Sequence, residues 1–125
     1  MRLLLDTHIY LWAVSGSPLL RAPVRRLIES ADEVYVSAAS IWEIAIKARL
    51  GKIDADPDRL AAAIDGSGFE ELPVRAVHAA AVAKLAPLLG DPFDRLLVAQ
   101  AMTEPLRLLT VDAMLTRYSD LVVLV

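Results

Sequence analysis

The amino-acid sequence predicts an α/β domain built on a parallel five-stranded sheet flanked by helices. Three observations lead there. Arg2-Leu3-Leu4-Leu5-Asp6 is a short apolar run opened and closed by a charge, the pattern of a strand buried on both faces at the centre of a parallel sheet. Four more short strand-like runs follow, separated by stretches of helical spacing, which is the alternation of βαβ units with right-handed crossovers. Finally, 125 residues, 56% of them hydrophobic, are enough for one core and too few for two ordinary ones, so residues 1–125 read as a single domain.

The first strand covers 2–5. Apolar spacing resumes as a short helix over 8–14 until Ser15-Gly16-Ser17-Pro18 stops it. A second helix runs over about 19–30, and Val34-Tyr35-Val36 is the second strand. Ser37-Ala38-Ala39-Ser40 leads into a helix with Ile41, Ile44, Ala45 and Ala48 on one face, closed by Gly51 where a left-handed cap is wanted. A helix over about 57–64 ends at Gly66-Ser67-Gly68. The third strand spans 69–74, and Glu70 and Glu71 put it at the sheet edge. Residues 77–85 are helical, and Pro87 and Gly90 mark a loop. Asp91-Pro92-Phe93-Asp94 starts a helix, with an N-cap acid, proline at the first helical position and a second acid in the first turn. That helix continues to about 103. Strand four covers 106–111, Asp112 caps a short helix through 118, and strand five covers 121–125.

If strands one to three wind one way and the chain then returns to the other side of strand one, the order is 3-2-1-4-5. The switch point, where open α/β sheets bind ligands, then lies between strands one and four. Neighbouring strands lie about 4.8 Å apart, so Asp6 and Asp112, each just past its strand, face one another across a gap that one cation could bridge.

Composition narrows the function. The longest apolar stretch, 77–89, is broken by His78, Lys84 and Pro87 and falls short of the roughly 18 uncharged residues of a membrane span. Asp6 and His8 interrupt what would be the apolar region of a secretory signal, so a cytoplasmic protein without membrane attachment is expected. With no cysteine there are no disulfides and no thiolate metal sites. A formal charge of −3 and a pI near 5.3 argue against a surface that coats nucleic acid. Nucleic acid is therefore expected to be held locally, through metal ions. The mean hydropathy of +0.47 exceeds what a soluble monomer needs and points to a subunit interface.

Each acid also has a purely structural reading. Glu43 fits the N3 position of a capping box in Ser40-Ile41-Trp42-Glu43 and precedes Lys47 by four residues, the favourable order for a helix ion pair. Asp91 reads as an N-cap, Asp94 as a first-turn acid favoured by the helix dipole, and Asp112 as another N-cap. Asp6 lacks a strong structural explanation, although it could cap the helix that starts near Thr7. Against four separate explanations stands their common place: Asp6, Glu43, Asp94 and Asp112 all fall at a helix start or strand end on one edge of the sheet. Gathered there, they would repel one another unless cations neutralise them. Oxygen-only ligation suits Mg²⁺ or Mn²⁺ over zinc. Such ions polarise a phosphoryl oxygen, activate water and stabilise a leaving oxygen, the requirements of phosphodiester hydrolysis.

At these residues the sequence resembles the PIN-domain family, specifically VapC-type toxins of toxin–antitoxin pairs. The pieces that match are Leu3-Leu4-Leu5-Asp6-Thr7-His8 with Leu11-Trp12, the segment from Ser37 through Trp42-Glu43 to Lys47, Asp91-Pro92-Phe93-Asp94-Arg95 continuing to Gln100, and Leu108-Leu109-Thr110-Val111-Asp112. They occur in family order and span nearly the whole chain. The resemblance implies a three-layer PIN-like fold with the 3-2-1-4-5 sheet. It also implies metal-dependent cleavage of RNA with Mg²⁺ or Mn²⁺, a homodimer, and inhibition by a cognate antitoxin. It maps the catalytic and metal-binding quartet onto Asp6, Glu43, Asp94 and Asp112, with Thr110 and Thr7 as supporting polar groups and Asp91 left structural. His8 is expected to hydrogen-bond near the site and not to act as a base. Lys47 and Arg95 are candidates for RNA phosphate contacts. Trp12 and Trp42 are read as core or dimer anchors. Two other functions fit the sheet: a catalytically silent PIN-fold binding module, and a phosphoacceptor signalling domain. The latter normally shows paired acids after strand one and a lysine after the last strand. A haloacid-dehalogenase-like phosphatase would want an aspartate where His8 stands.

Overall fold

A computed structural model describes residues 1–88 and 90–125, so the expected loop around Pro87 and Gly90 includes one position, Leu89, outside the described residues. The strands are β1 (Arg2–Leu5), β2 (Glu33–Ser37), β3 (Glu70–Leu72), β4 (Arg107–Thr110) and β5 (Val122–Leu124). They form one sheet in the order β3-β2-β1-β4-β5, and every pairing is parallel. The helices are α1 (Thr7–Ser15), α2 (Ala22–Ser30), α3 (Ala38–Arg49), α4 (Pro57–Gly66), α5 (Ala76–Ala81) and α6 (Pro92–Thr103).

The leucine run of β1 shows how the sequence generates three layers. Successive side chains of a strand point to opposite faces. Leu3 and Leu5 accordingly join a core with Ile9, Tyr10, Val24, Ile28, Ile44 and Ile64, contributed by α1 to α4. Leu4 points the other way, into a core with Leu97, Val98 and Ala101 of α6 and Leu85 beyond α5. All three leucines are fully buried, and each such burial stabilises the fold by about 1.5–3 kcal/mol. Among the described residues no helix is long and apolar enough to cross a membrane.

Several boundaries differ from expectation for identifiable reasons. The second helix starts at Ala22, not near 19, because Pro23 sits in its first turn and Leu19 and Arg21 remain outside it. The start of α3 is capped by Ser37, whose Oγ accepts from the Ala39 amide at 3.0 Å, so the Ser40–Glu43 capping box does not form. Ser40 is instead an interior residue of α3, fully buried. β3 is only three residues long, because Pro73 has no amide to extend the ladder. α5 tightens at Val82–Lys84 into a single 3-10 turn, and Asp112 caps a 3-10 helix over Ala113–Arg117. Gly51 takes a φ of 73°, as the left-handed cap requires.

Candidate active site

Every strand of the sheet runs the same way, so the carboxyl ends of β1, β2 and β4 and the starts of α1, α3 and α6 share one edge. Asp6 is the first residue beyond β1 and the N-cap of α1. One of its oxygens accepts from the Ile9 amide at 2.9 Å and the other from Thr110 Oγ1 at 2.6 Å. Only 5% of Asp6 is exposed. Burial pushes its pKa up, and the Thr110 and Ile9 hydrogen bonds and nearby His8 oppose the rise.

Glu43 is equally buried, one turn into α3 beyond Ser40. Thr7 Oγ1 donates to its Oε1 at 2.7 Å and also lies 3.1 Å from Ser40 Oγ. Lys47 Nζ stands 2.5 Å from Oε2, the i,i+4 pair foreseen in the sequence. Asp112 is more open: its carboxylate accepts from the Met114 amide at 3.0 Å, while its own amide donates to Thr110 Oγ1 at 3.0 Å. Thr110 therefore ties Asp6 to the start of the segment that carries Asp112. Asp91 caps α6 through the Phe93 amide at 2.8 Å.

Asp94 differs from the others. Among the described residues no donor reaches its carboxylate, although the side chain is more than half buried. Burial, then the charges of Asp91, Glu43, Asp6 and Asp112, push its pKa up to about 7. The same five acids and Lys47 line one recess of about 380 Å³. A larger hollow of about 750 Å³ between α1 and α4 gathers no such facing acids, so chemistry and not volume selects the site.

The structure thus brings together all four acids singled out in the sequence, with Thr7 and Thr110 in contact with two of them. Asp91, read as structural only, both caps α6 and faces the recess. Among the described residues no three of these groups stand close enough to hold an ion without moving. That spacing follows from the partners just named: Glu43 and Asp6 are drawn toward hydroxyl, amide and ammonium donors, and like charges hold Asp94 and Asp112 apart. A hard divalent cation nonetheless fits. The donors are all oxygen, and Asp94 is a half-buried carboxylate facing four others that forms no ion pair among the described residues, with the Lys47 charge acting on it only at a distance.

Two of the residues singled out in the sequence stand outside the recess. Arg95 does not reach into the recess. Its Nη1 donates to Ala86 O, Leu88 O and Tyr118 Oη at 3.0–3.1 Å and the guanidinium lies 5.5 Å from the Tyr118 ring, so it clamps the loop before α6. Gly90 belongs to that clamp, since a Cβ there would stand 2.9 Å from Tyr118 Oη. Trp42 is not a core residue: it is 59% exposed, its ring edge-to-face with Phe93 at 4.9 Å. Trp12, by contrast, packs partly buried against the core of α1 to α4. His8 is exposed at the rim of the recess, 6.1 Å from the Trp12 ring. Sequence reasoning missed Ser40 as a neighbour of Thr7; its position one turn before Glu43 on the same helix face was the available signal.

The PIN domain family model matches residues 3–121. The chain belongs to the PIN-domain family. A curated relative, Ribonuclease VapC22 of Mycobacterium tuberculosis (strain ATCC 25618 / H37Rv), is 35% identical over 115 residues, covering 87% of this chain and 85% of the relative. Two solved structures share the PIN architecture. A chain in the crystal structure of VapBC2 from Rickettsia felis bound to a DNA fragment from their promoter superposes with a TM-score of 0.71 at 18% identity, covering 98% of this chain and 96% of that one. A chain of a toxin-antitoxin complex from Klebsiella pneumoniae gives a TM-score of 0.57 at 20% identity, covering 87% and 85%. At such identities they speak for the fold alone.

Proposed function

We propose that this PIN-domain chain is a metal-dependent endoribonuclease, the toxin of a toxin–antitoxin pair, that hydrolyses RNA phosphodiester bonds in the cytoplasm. The observation that carries this reading is the set of facing carboxylates around Asp94, a charge arrangement that a divalent cation relieves. The kinship with a protein named a ribonuclease supports RNA as the substrate class, and the description of a neighbour of the same fold as a toxin-antitoxin complex is in keeping with a cognate antitoxin as the inhibitory partner.

Asp6, Glu43, Asp94 and Asp112 would hold Mg²⁺ or Mn²⁺. When bound, the ion supplies Lewis acidity toward the scissile phosphate and lowers the pKa of water. The chain does the rest. Thr110 fixes the orientation of Asp6, and its link to the Asp112 amide sets the spacing between two acids from separate segments. Thr7 does the same for Glu43. Such outer partners keep a carboxylate aimed before the substrate arrives. Purified protein freed of antitoxin is expected to cut RNA with Mg²⁺ or Mn²⁺ and to stop when EDTA is added. Equal cleavage in EDTA would sink the metal reading, and no cleavage with either ion would favour the silent binding module.

The chain is also proposed to form a homodimer. Trp42, Ile46 and Leu50 are exposed at i, i+4 and i+8 along α3, one apolar stripe on a chain already rich in hydrophobic residues. Light scattering at micromolar concentration is expected to give twice the 13.6 kDa chain mass; a monomer alone would overturn this assignment.

A further inference from the structure

Lys47 occupies an unusual place for a lysine. Its ammonium stands 2.5 Å from Glu43 Oε2 inside the recess that Asp6, Asp91, Asp94 and Asp112 also line. The stem lies along α3 with 27% of the side chain exposed, while Glu43 is 4% exposed. Among the described residues no other lysine or arginine forms an ion pair with an acid of the recess. Glu43 is consequently satisfied on both oxygens, by Thr7 and by Lys47, whereas Asp94 accepts no hydrogen bond and forms no ion pair among the described residues and feels the Lys47 charge only at a distance.

We propose that Lys47 is a permanent internal cation that takes the charge role of a second divalent ion, so that the recess binds one divalent ion per chain. This inference rests on the metal-dependent reading given above. Nucleases that use two ions hold them about 3.5–4 Å apart and share carboxylates between them. Glu43 could be shared in that way only through Oε2, since Thr7 holds Oε1, and an ammonium already sits on Oε2. A compact ammonium on a four-carbon stem is also suited to neutralise a carboxylate without chelating it. This narrows the quartet proposed above to Asp6, Asp94 and Asp112 as direct ligands of the one ion. Glu43 is held back and contributes through its charge and its hydrogen bond to Thr7.

The test counts ions directly. Mn²⁺ is titrated into the intact protein, and unbound ion is read from its paramagnetic resonance signal. Wild type is expected to bind one Mn²⁺ per chain with no spin-coupled pair. Lys47→Met, close in length but uncharged, is expected to bind two, with a coupled Mn²⁺ pair appearing in the spectrum. Lys47→Arg, which keeps the charge, is expected to stay at one. Two ions of similar affinity in wild type, or a single ion in a folded Lys47→Met, would overturn the assignment. The wild-type count decides even if Lys47→Met does not fold. Failure of the parent reading looks different: wild type would bind no Mn²⁺ and would cut RNA equally in EDTA or not at all.

Discussion

Asp6→Asn is expected to keep the fold and to lower RNA cleavage by about 100-fold or more. Removal of a residue that merely supports a ligand costs about 10–100-fold in metal affinity or activity, and loss of a ligand itself should exceed that range. The fold survives because asparagine serves as an N-cap as well as aspartate does. Its carbonyl can keep the Ile9 amide, and its NH₂ can donate to Thr110 Oγ1, a hydroxyl able to accept. The substitution also removes a charge that burial disfavours. Cleavage rates and thermal melts of the same preparation check both halves. A stable variant with full activity would take Asp6 out of the reaction, and a variant that fails to fold would show that its charge is structural.

The second large effect is on stability. Asp94 has its folded pKa raised from 3.8 to about 7 in the metal-free protein. Between those two values the folded state holds more protons than the unfolded state, so stability falls as pH rises through the window from about 4 to 7. Asp94 is partly open to solvent, and after screening is allowed for the loss is on the order of 1 kcal/mol. Asp94→Asn should abolish that slope and be at least as stable as wild type at pH 7.5 without metal. Adding Mn²⁺ at about 100 times its dissociation constant should stabilise wild type by roughly 2.7 kcal/mol, a rise in melting temperature of roughly 10 °C for a domain of this size. The variant should gain much less. Because the ion competes with the proton, the pH dependence of loaded wild type should run the opposite way, with stability rising with pH. If Asp94 is only a first-turn acid, its loss instead costs a few tenths to about 1 kcal/mol, and both proteins respond equally to Mn²⁺. Melts at pH 5 and 7.5, with and without Mn²⁺, separate the two cases.

The sheet order and the edge that carries the acids were legible because both depend on local signals. The triple leucine of β1 marks the central strand, and proline and acid at 91–94 mark a helix start that no tertiary contact needs to explain. What escaped depends on distance between elements. The pairing of Thr7 with Glu43 joins positions 36 apart, and the Arg95 clamp needs Tyr118, 23 residues later. The Ser40 capping box shows the reverse error. The pattern Ser-x-x-Glu is correct as a motif, yet Ser37 captures the helix start three residues earlier, leaving Glu43 free for the recess. Trp42 was left between core and dimer anchor for a similar reason: helical spacing says which residues share a face, but not whether that face looks inward.

The hydrogen bond from Thr110 to Asp6 spans 104 positions of chain, and β4, which brings Thr110, enters the middle of the sheet beside β1. A growing polypeptide on the ribosome can pair β1 with β2 and then β3, but the other side of β1 stays open until residues 107–110 have been made. Until then Asp112, which follows β4, has not been made, and Asp6 lacks one of its two donors. The full set of acids is therefore assembled only after a late, non-local folding step of the kind that is intrinsically slow. Translation thus imposes a delay between starting to make this chain and completing its acidic recess.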